Sequence, residues 1–183
     1  MMSKLEKLRE ECEKCEKCEL CKSRTNLVFG TGNENAKVMF IGEAPGESED
    51  LQGEPFVGRS GKLLDSMLEE IGLDRKENIF IANMLKCRPP KNRDPLPKEQ
   101  DLCINWLYEQ IRIINPKVVV CLGRISSQRM IGKDFKVTTE HGQFIEKDGI
   151  VFMGTFHPAA LLRNPHNKPL AKEDFEKLKE KIK

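Results

Sequence analysis

Four runs of apolar residues, each closed by Gly, Asn or Thr, punctuate the chain: KVMFIG at Lys37–Gly42, NIFIAN at Asn78–Asn83, KVVVCLG at Lys117–Gly123 and IVFMGT at Ile150–Thr155. Unbroken apolar runs, rather than alternating ones, are the pattern of strands covered on both faces. Between them the apolar positions recur with helical spacing. In SGKLLDSMLEEIG, Leu63, Leu64, Met67, Leu68 and Ile71 form one stripe, with Ser60 placed to cap its start and Gly72 to close its end. A second stripe, Cys103, Leu107, Ile111 and Ile114, begins near Pro97. A shorter helix is expected after Gly123, and Phe175, Leu178 and Ile182 give the last stretch a helical face. Strands alternating with helices predict an α/β protein, a three-layer α/β/α sandwich around a central four-stranded parallel sheet.

In open sheets of this kind ligands bind beyond the carboxyl ends of the strands. Those ends lead into GEAPGE, into Asn83 and KCRPP, into Gly123-Arg124, and into FHPAALLRNP. Glu43, Asn83 and His157 are therefore expected along one rim. Gly42, Pro45 and Gly46 let the backbone turn sharply and offer its N–H and C=O groups to a flat ligand. Phe56, just ahead of a helix start, is a core residue unless it lines a pocket, where it would stack on a base. Asn83 carries a donor and an acceptor on one rigid amide, which suits it either to reading a base edge or to bridging its own turn. His157 stands in a rigid His-Pro turn coupled to Arg163 and is the candidate catalytic histidine; His141 and His166, in polar surroundings, are expected at the surface.

Composition narrows the class. At 183 residues, 38% hydrophobic and 33% charged, without internal repeats, residues 1–183 are expected to form one domain with its own core. The opening MMSKLEKLREE has no apolar segment of secretory type, and VVVCL is far too short to cross a bilayer. A cytoplasmic protein with no membrane partner is expected. Charge is distributed unevenly: Lys86, Arg88, Lys91, Arg93 and Lys98 face only Asp94 between positions 86 and 98, and Arg163, Lys168 and Lys172 lie in an acid-free stretch. Such islands suit a phosphate backbone, and equally suit solvated loops.

Seven cysteines in a reducing compartment point to metal binding or catalysis rather than disulfides. Cys12, Cys15, Cys18 and Cys21 follow one another at three-residue spacing, yet Cys21 precedes Lys22 and the last gap is two residues. That is not the ferredoxin pattern.

Taken in order, GEAPGE, EPFVGRSG, NMLKCRPP and FHPAALLRNP resemble the iron-sulfur uracil-DNA glycosylases, often called family 4, over nearly the whole chain. The resemblance implies a monomeric base-excision enzyme that removes uracil from single- or double-stranded DNA and leaves an abasic site. Its target must be flipped out of the stack, at a cost of a few kcal/mol. By the same resemblance Phe56 stacks on the flipped base, Asn83 binds its polar edge and rejects cytosine, and backbone groups of Gly42, Glu43 and Ala44 complete the pocket. His157 would donate a hydrogen bond to the oxygen on which the departing uracil gathers charge, a type of donor commonly worth ~3 kcal/mol. Glu43 and Glu49 carry over as pocket residues that position water, Ala44 standing where better-known uracil glycosylases have an aspartate. Leu161 and Leu162 would wedge into the stack with Arg163 on a phosphate, and Arg88, Lys91 and Arg93 would face DNA.

The family pattern further implies a 4Fe-4S cluster on Cys15, Cys18, Cys87 and Cys103 that ties the N-terminal helix to the core, with Cys12 and Cys21 spare. Zinc on four cysteines is the alternative. Two other classes remain open on the residues alone: an iron-sulfur electron carrier, and a uracil-DNA binder that is non-catalytic or becomes covalently trapped. Trapping relatives carry an inserted basic loop before the motif histidine, which the direct run MGTFHP lacks.

Overall fold

The structure, a computed structural model, describes residues 1–183. In chain order its elements are α1 (Lys4–Glu13), β1 (Thr31–Gly32), β2 (Val38–Gly42), α2 (Glu47–Gln52), α3 (Arg59–Glu70), β3 (Ile79–Asn83) and α4 (Pro97–Ile114). There follow β4 (Val118–Leu122), α5 (Arg124–Met130), α6 (Val137–Glu140), β5 (Phe144–Lys147), β6 (Ile150–Thr155), α7 (Pro158–Arg163) and α8 (Lys168–Lys181).

The four apolar runs are the parallel centre of the sheet, in the spatial order β3-β2-β4-β6. The sheet is nevertheless six-stranded and mixed, not four-stranded: β1 pairs antiparallel with β3, and β5 antiparallel with β6. Neither edge strand has an apolar run to announce it, since β1 is two residues long and β5 is FIEK with its second half exposed.

Side chains of each central strand alternate between two cores. Met39, Ile41, Val119 and Cys121 face Leu5 and Leu8 of α1, Leu107 and Ile111 of α4, and Ile125 of α5. Val38, Phe40, Val118 and Val120 face Leu64 and Leu68 of α3, Leu161 of α7 and Phe175 of α8. Each buried Leu or Phe contributes roughly 1.5–3 kcal/mol, so both faces need an apolar side chain at every position and the runs are unbroken. No helix is long and apolar enough to cross a membrane.

Helix α3 starts two residues before Ser60, with Gly58 as its N-cap, because the Glu49 carboxylate holds the Val57 and Gly58 amides at the entry. It ends as its sequence predicts: Gly72 takes φ +76°, its amide donates to Glu69, and the Leu73 amide donates to Leu68.

From β2 the chain crosses to one side to form β3 and then to the other to form β4. The carboxyl ends of β2 and β4 therefore part over a crevice, where open α/β sheets bind their ligands. Glu43 and Gly123 are the residues that leave those two ends.

Candidate active site

Asn83 ends β3 in register with Gly42 at the end of β2. The ladder runs on past the strands, the Met84 amide donating to Gly42 O at 3.0 Å and the Leu85 amide to Glu43 O at 3.1 Å. Gly42 has to be glycine: a Cβ would lie 2.6 Å from Phe56 Cζ and collide with Asn83 Oδ1. The Asn83 amide and the Phe56 ring thus meet over one backbone position, Asn83 being 2% and Phe56 6% exposed.

Phe56 adopts φ +52°, a left-handed conformation that is a genuine outlier for a bulky side chain. It is held there by Arg75, which donates to Pro55 O (2.8 Å), to Phe56 O (2.6 Å) and to Asp65 Oδ1 (2.8 Å). Gly61 of α3 lies so close to the Phe56 carbonyl that no side chain fits between them. The ring stacks on His157 with centroids 5.5 Å apart.

His157 is the N-cap of α7, its Nδ1 accepting the Ala159 amide at 3.0 Å. A ring nitrogen that accepts carries no proton, so the neutral imidazole keeps its hydrogen on Nε2. Burial, reinforced by the Arg163 charge and opposed by Glu49, lowers the pKa of His157 from 6.5 to about 4. Near neutral pH this side chain is an uncharged donor.

Beside it Glu43 is half-buried, and its pKa is raised by burial and by Asp94 against the pull of the Ile125 amide, Arg124 and Arg163. A Cβ on Gly123 would lie 2.9 Å from Glu43 Oε1 and 3.0 Å from His157 Cβ, so Gly123 is what allows these two to approach. Glu43, Ala44, Glu49 and His157 border a cleft of about 380 Å³, within the range of small-ligand sites. The predicted rim residues are therefore linked: Asn83 and Phe56 over Gly42, Phe56 and His157 by stacking, His157 and Glu43 across Gly123.

Residues 29–183 match the family described as the Uracil DNA glycosylase superfamily. The chain belongs to that superfamily. It is similar to the type-4 uracil-DNA glycosylase of Sulfurisphaera tokodaii, at 48% identity over 98% of this chain and 85% of the relative. It is also similar to the type-4 uracil-DNA glycosylases of Archaeoglobus fulgidus, at 46% over 87% and 83% of the two chains, and of Thermotoga maritima, at 46% over 88% and 85%. Those identities put it with the type-4 members of the superfamily.

Several residues of this superfamily member stand elsewhere than the sequence suggests. Glu49 is not free to position water: its carboxylate accepts the amides of Gly46 (3.0 Å), Val57 (3.0 Å) and Gly58 (3.1 Å) and so braces the loop carrying Phe56. Leu161 is 0% exposed and packs into the core beneath α7, which leaves half-buried Leu162 and exposed Arg163 as the outward residues of that helix. Arg93 is not a free cation, since both its Nη atoms bond the Glu99 carboxylate at 2.8 Å. Arg88 donates to Asn92 Oδ1 at 2.7 Å, whereas Lys91 is exposed. His141 is not a surface residue: its Nδ1 lies 2.8 Å from the fully buried Asp174 carboxylate, which also accepts the Thr155 hydroxyl at 2.6 Å. Sequence reasoning missed Arg75, which no local motif marks, and the Arg124–Asp94 pair, 3.4 Å apart.

Behind the β3 end, Cys15, Cys18, Cys21, Cys87 and Cys103 line a single, largely apolar cavity with Leu20, Leu85 and Trp106. Cys12 points away from it into the core under α1, and Cys121 lies within β4. Three of the sulfurs receive hydrogen bonds: Cys87 from Arg24 (3.4 Å), Cys15 from Trp106 (3.4 Å) and Cys103 from the Lys86 amide (3.3 Å). Burial pushes the Cys103 thiol up to about 11 and raises Cys87 despite Arg24, so thiolates form here only with a strongly positive partner. No group of three His, Cys, Asp or Glu side chains is arranged to hold a metal ion. A cysteine set spread around a cavity suits a group larger than one ion, and fits a cluster better than zinc.

Proposed function

We propose that this chain is a uracil-DNA glycosylase that hydrolyses the N-glycosidic bond of a uracil flipped out of DNA, acting as a monomer of one domain on single- or double-stranded substrate. The observation that carries the reading is the meeting of Phe56, Asn83, Glu43 and His157 at the crevice between β2 and β4.

Each residue has a role its surroundings support. Asn83, fixed by the ladder, presents its amide to the polar edge of the base, and the backbone at Gly42 to Ala44 completes the pocket. Phe56, clamped by Arg75, offers a ring face for stacking. As the bond breaks, negative charge moves onto the uracil oxygens and positive charge onto the sugar. The Nε2–H of neutral His157 meets the first, and a preorganised donor of this kind lowers the barrier by ~3 kcal/mol. Glu43, facing the cleft beside the breaking bond, orients the attacking water and faces the cationic sugar; Glu49 serves by holding the loop. Leu162 fills the gap left by the flipped base, and Arg163, Arg88 and Lys91 bind phosphates.

The cysteine cavity supports a 4Fe-4S cluster held by Cys15, Cys18, Cys87 and Cys103, with Cys21 as a fifth thiol on the same cavity. Such a group supplies cohesion, tying the segment after α1 to Cys87 and α4.

Oligonucleotides carrying one uracil, incubated with the protein and then treated with alkali, test the reading. Strand breaks that disappear in His157→Ala and Asn83→Ala support it; intact strands with folded protein overturn it. A denaturation-resistant protein-DNA adduct would reveal covalent trapping instead, and iron and sulfide analysis decides the cluster.

A further inference from the structure

Lys86 belongs by sequence to the basic stretch before α4, yet it is 1% exposed. Its ammonium group donates to Phe29 O at 3.1 Å, Asn83 O at 3.0 Å and Gln110 Oε1 at 2.7 Å. All three acceptors are uncharged. Gln110, itself fully buried, donates its Nε2 to the same Phe29 carbonyl at 2.8 Å, which fixes the amide so that its oxygen faces the lysine. A buried cation whose hydrogen bonds are met only by neutral groups still costs several kcal/mol unless an anion stands nearby.

The available anions are sulfurs. The Lys86 amide points at Cys103 Sγ, 3.3 Å away, the next residue in the chain is Cys87, and Lys86 borders the cysteine cavity. On its other side the same ammonium group grips the backbone of Asn83, whose side chain closes over Gly42.

We propose that Lys86 is the internal counter-charge of the cysteine site and a positioning residue for Asn83, so that one ammonium group links what fills the cavity to the setting of the pyrimidine-reading amide. The proposal rests on the reading above, in which the cavity holds a cluster and Asn83 reads uracil. Two consequences are separable. Removing the positive charge makes the cluster harder to reduce. Removing the bond to Asn83 O loosens base recognition and raises KM.

The test compares Lys86→Arg, Lys86→Gln and Lys86→Met, each loaded with iron and sulfide, by redox titration of the visible absorbance and by uracil excision kinetics. The midpoint potential is expected to fall in Gln and Met and to stay near wild type in Arg. KM is expected to rise roughly tenfold in Met, where the hydrogen bond from a charged donor is lost. A lysine that only filled space would shift the potential alike in Arg and Gln, and that result, or an unchanged KM in Met, overturns the proposal. A second measurement needs no variant: hydrogen exchange of the wild-type chain before and after the cluster is stripped. The Met84 and Leu85 amides, which bond Gly42 O and Glu43 O, are expected to lose protection while β4 keeps its own; unchanged protection at both is equally fatal. A wild-type protein that takes up no iron sinks the cluster reading itself, which separates that failure from this one.

Discussion

The rings of Phe56 and His157 lie stacked, 5.5 Å between centroids and 29° between planes. A base sandwiched between two rings needs about 7 Å. The pyrimidine therefore cannot enter between them as they stand, and His157 acts through its edge, with Nε2–H directed at the base while Phe56 covers the imidazole face. Phe56→Leu, by uncovering that face, is expected to move the His157 pKa upward toward its ordinary value, as an NMR titration of the ring protons would show.

That pKa also fixes a pH dependence. His157 titrates near 6.5 when unfolded and at about 4 when folded, so on acidification the unfolded chain takes up its proton first. Stability is then lost as pH falls from about 6.5 to about 4, and this group adds no slope above that window. His157→Gln is expected to flatten the curve of Tm against pH inside it.

Arg75 touches no substrate but sets the stacking ring. Arg75→Met removes the three hydrogen bonds that hold Pro55, Phe56 and Asp65 together. Phe56 should then relax from its left-handed backbone, and kcat/KM for uracil release should fall by roughly 10–100-fold, the worth of one such charged bond. An oligonucleotide assay with circular dichroism as the control for folding measures this.

Neighbouring leucines on α7 should behave oppositely. Leu161→Ala is expected to cost about 2–5 kcal/mol of stability, as for other fully buried leucines. Leu162→Ala should leave Tm nearly unchanged and slow excision from duplex DNA more than from single strands. Denaturant melts and paired substrates distinguish the two.

Among the cysteines, Cys87→Ala should bleach the visible absorbance and destabilise the fold, whereas Cys12→Ala should keep its iron, because Cys12 sits in the core and not on the cavity. Cys18→Ala should keep part of its iron through Cys21, and the Cys18→Ala/Cys21→Ala double variant should keep none. Iron content of the purified variants checks all three.

What the sequence showed and what it hid follow one physical line. Val38–Gly42, Ile79–Asn83 and Val118–Leu122 were legible because strands buried on both faces are apolar throughout, and the turns after them carried the rim residues with them. The edge strand Phe144–Lys147 was not, because half of it meets water. Leu161 and Leu162 look alike in a six-residue helix, and only packing decides which one faces in. Lys86, Glu49 and His141 were misjudged for one reason: a charged or polar residue reads as surface until its internal partners, distant in the chain, are known.

The ladder that joins Gly42 to Asn83 continues through Met84 and Leu85, so the two sides of the base pocket are adjacent rungs of the central sheet. Their separation is the strand spacing of about 4.8 Å, a dimension the protein cannot alter without breaking its own framework. The pocket thus works as a fixed gauge: a single six-membered ring is admitted or refused by a distance inherited from the backbone, and rejection of the wider purines comes from the architecture itself and not from any one side chain.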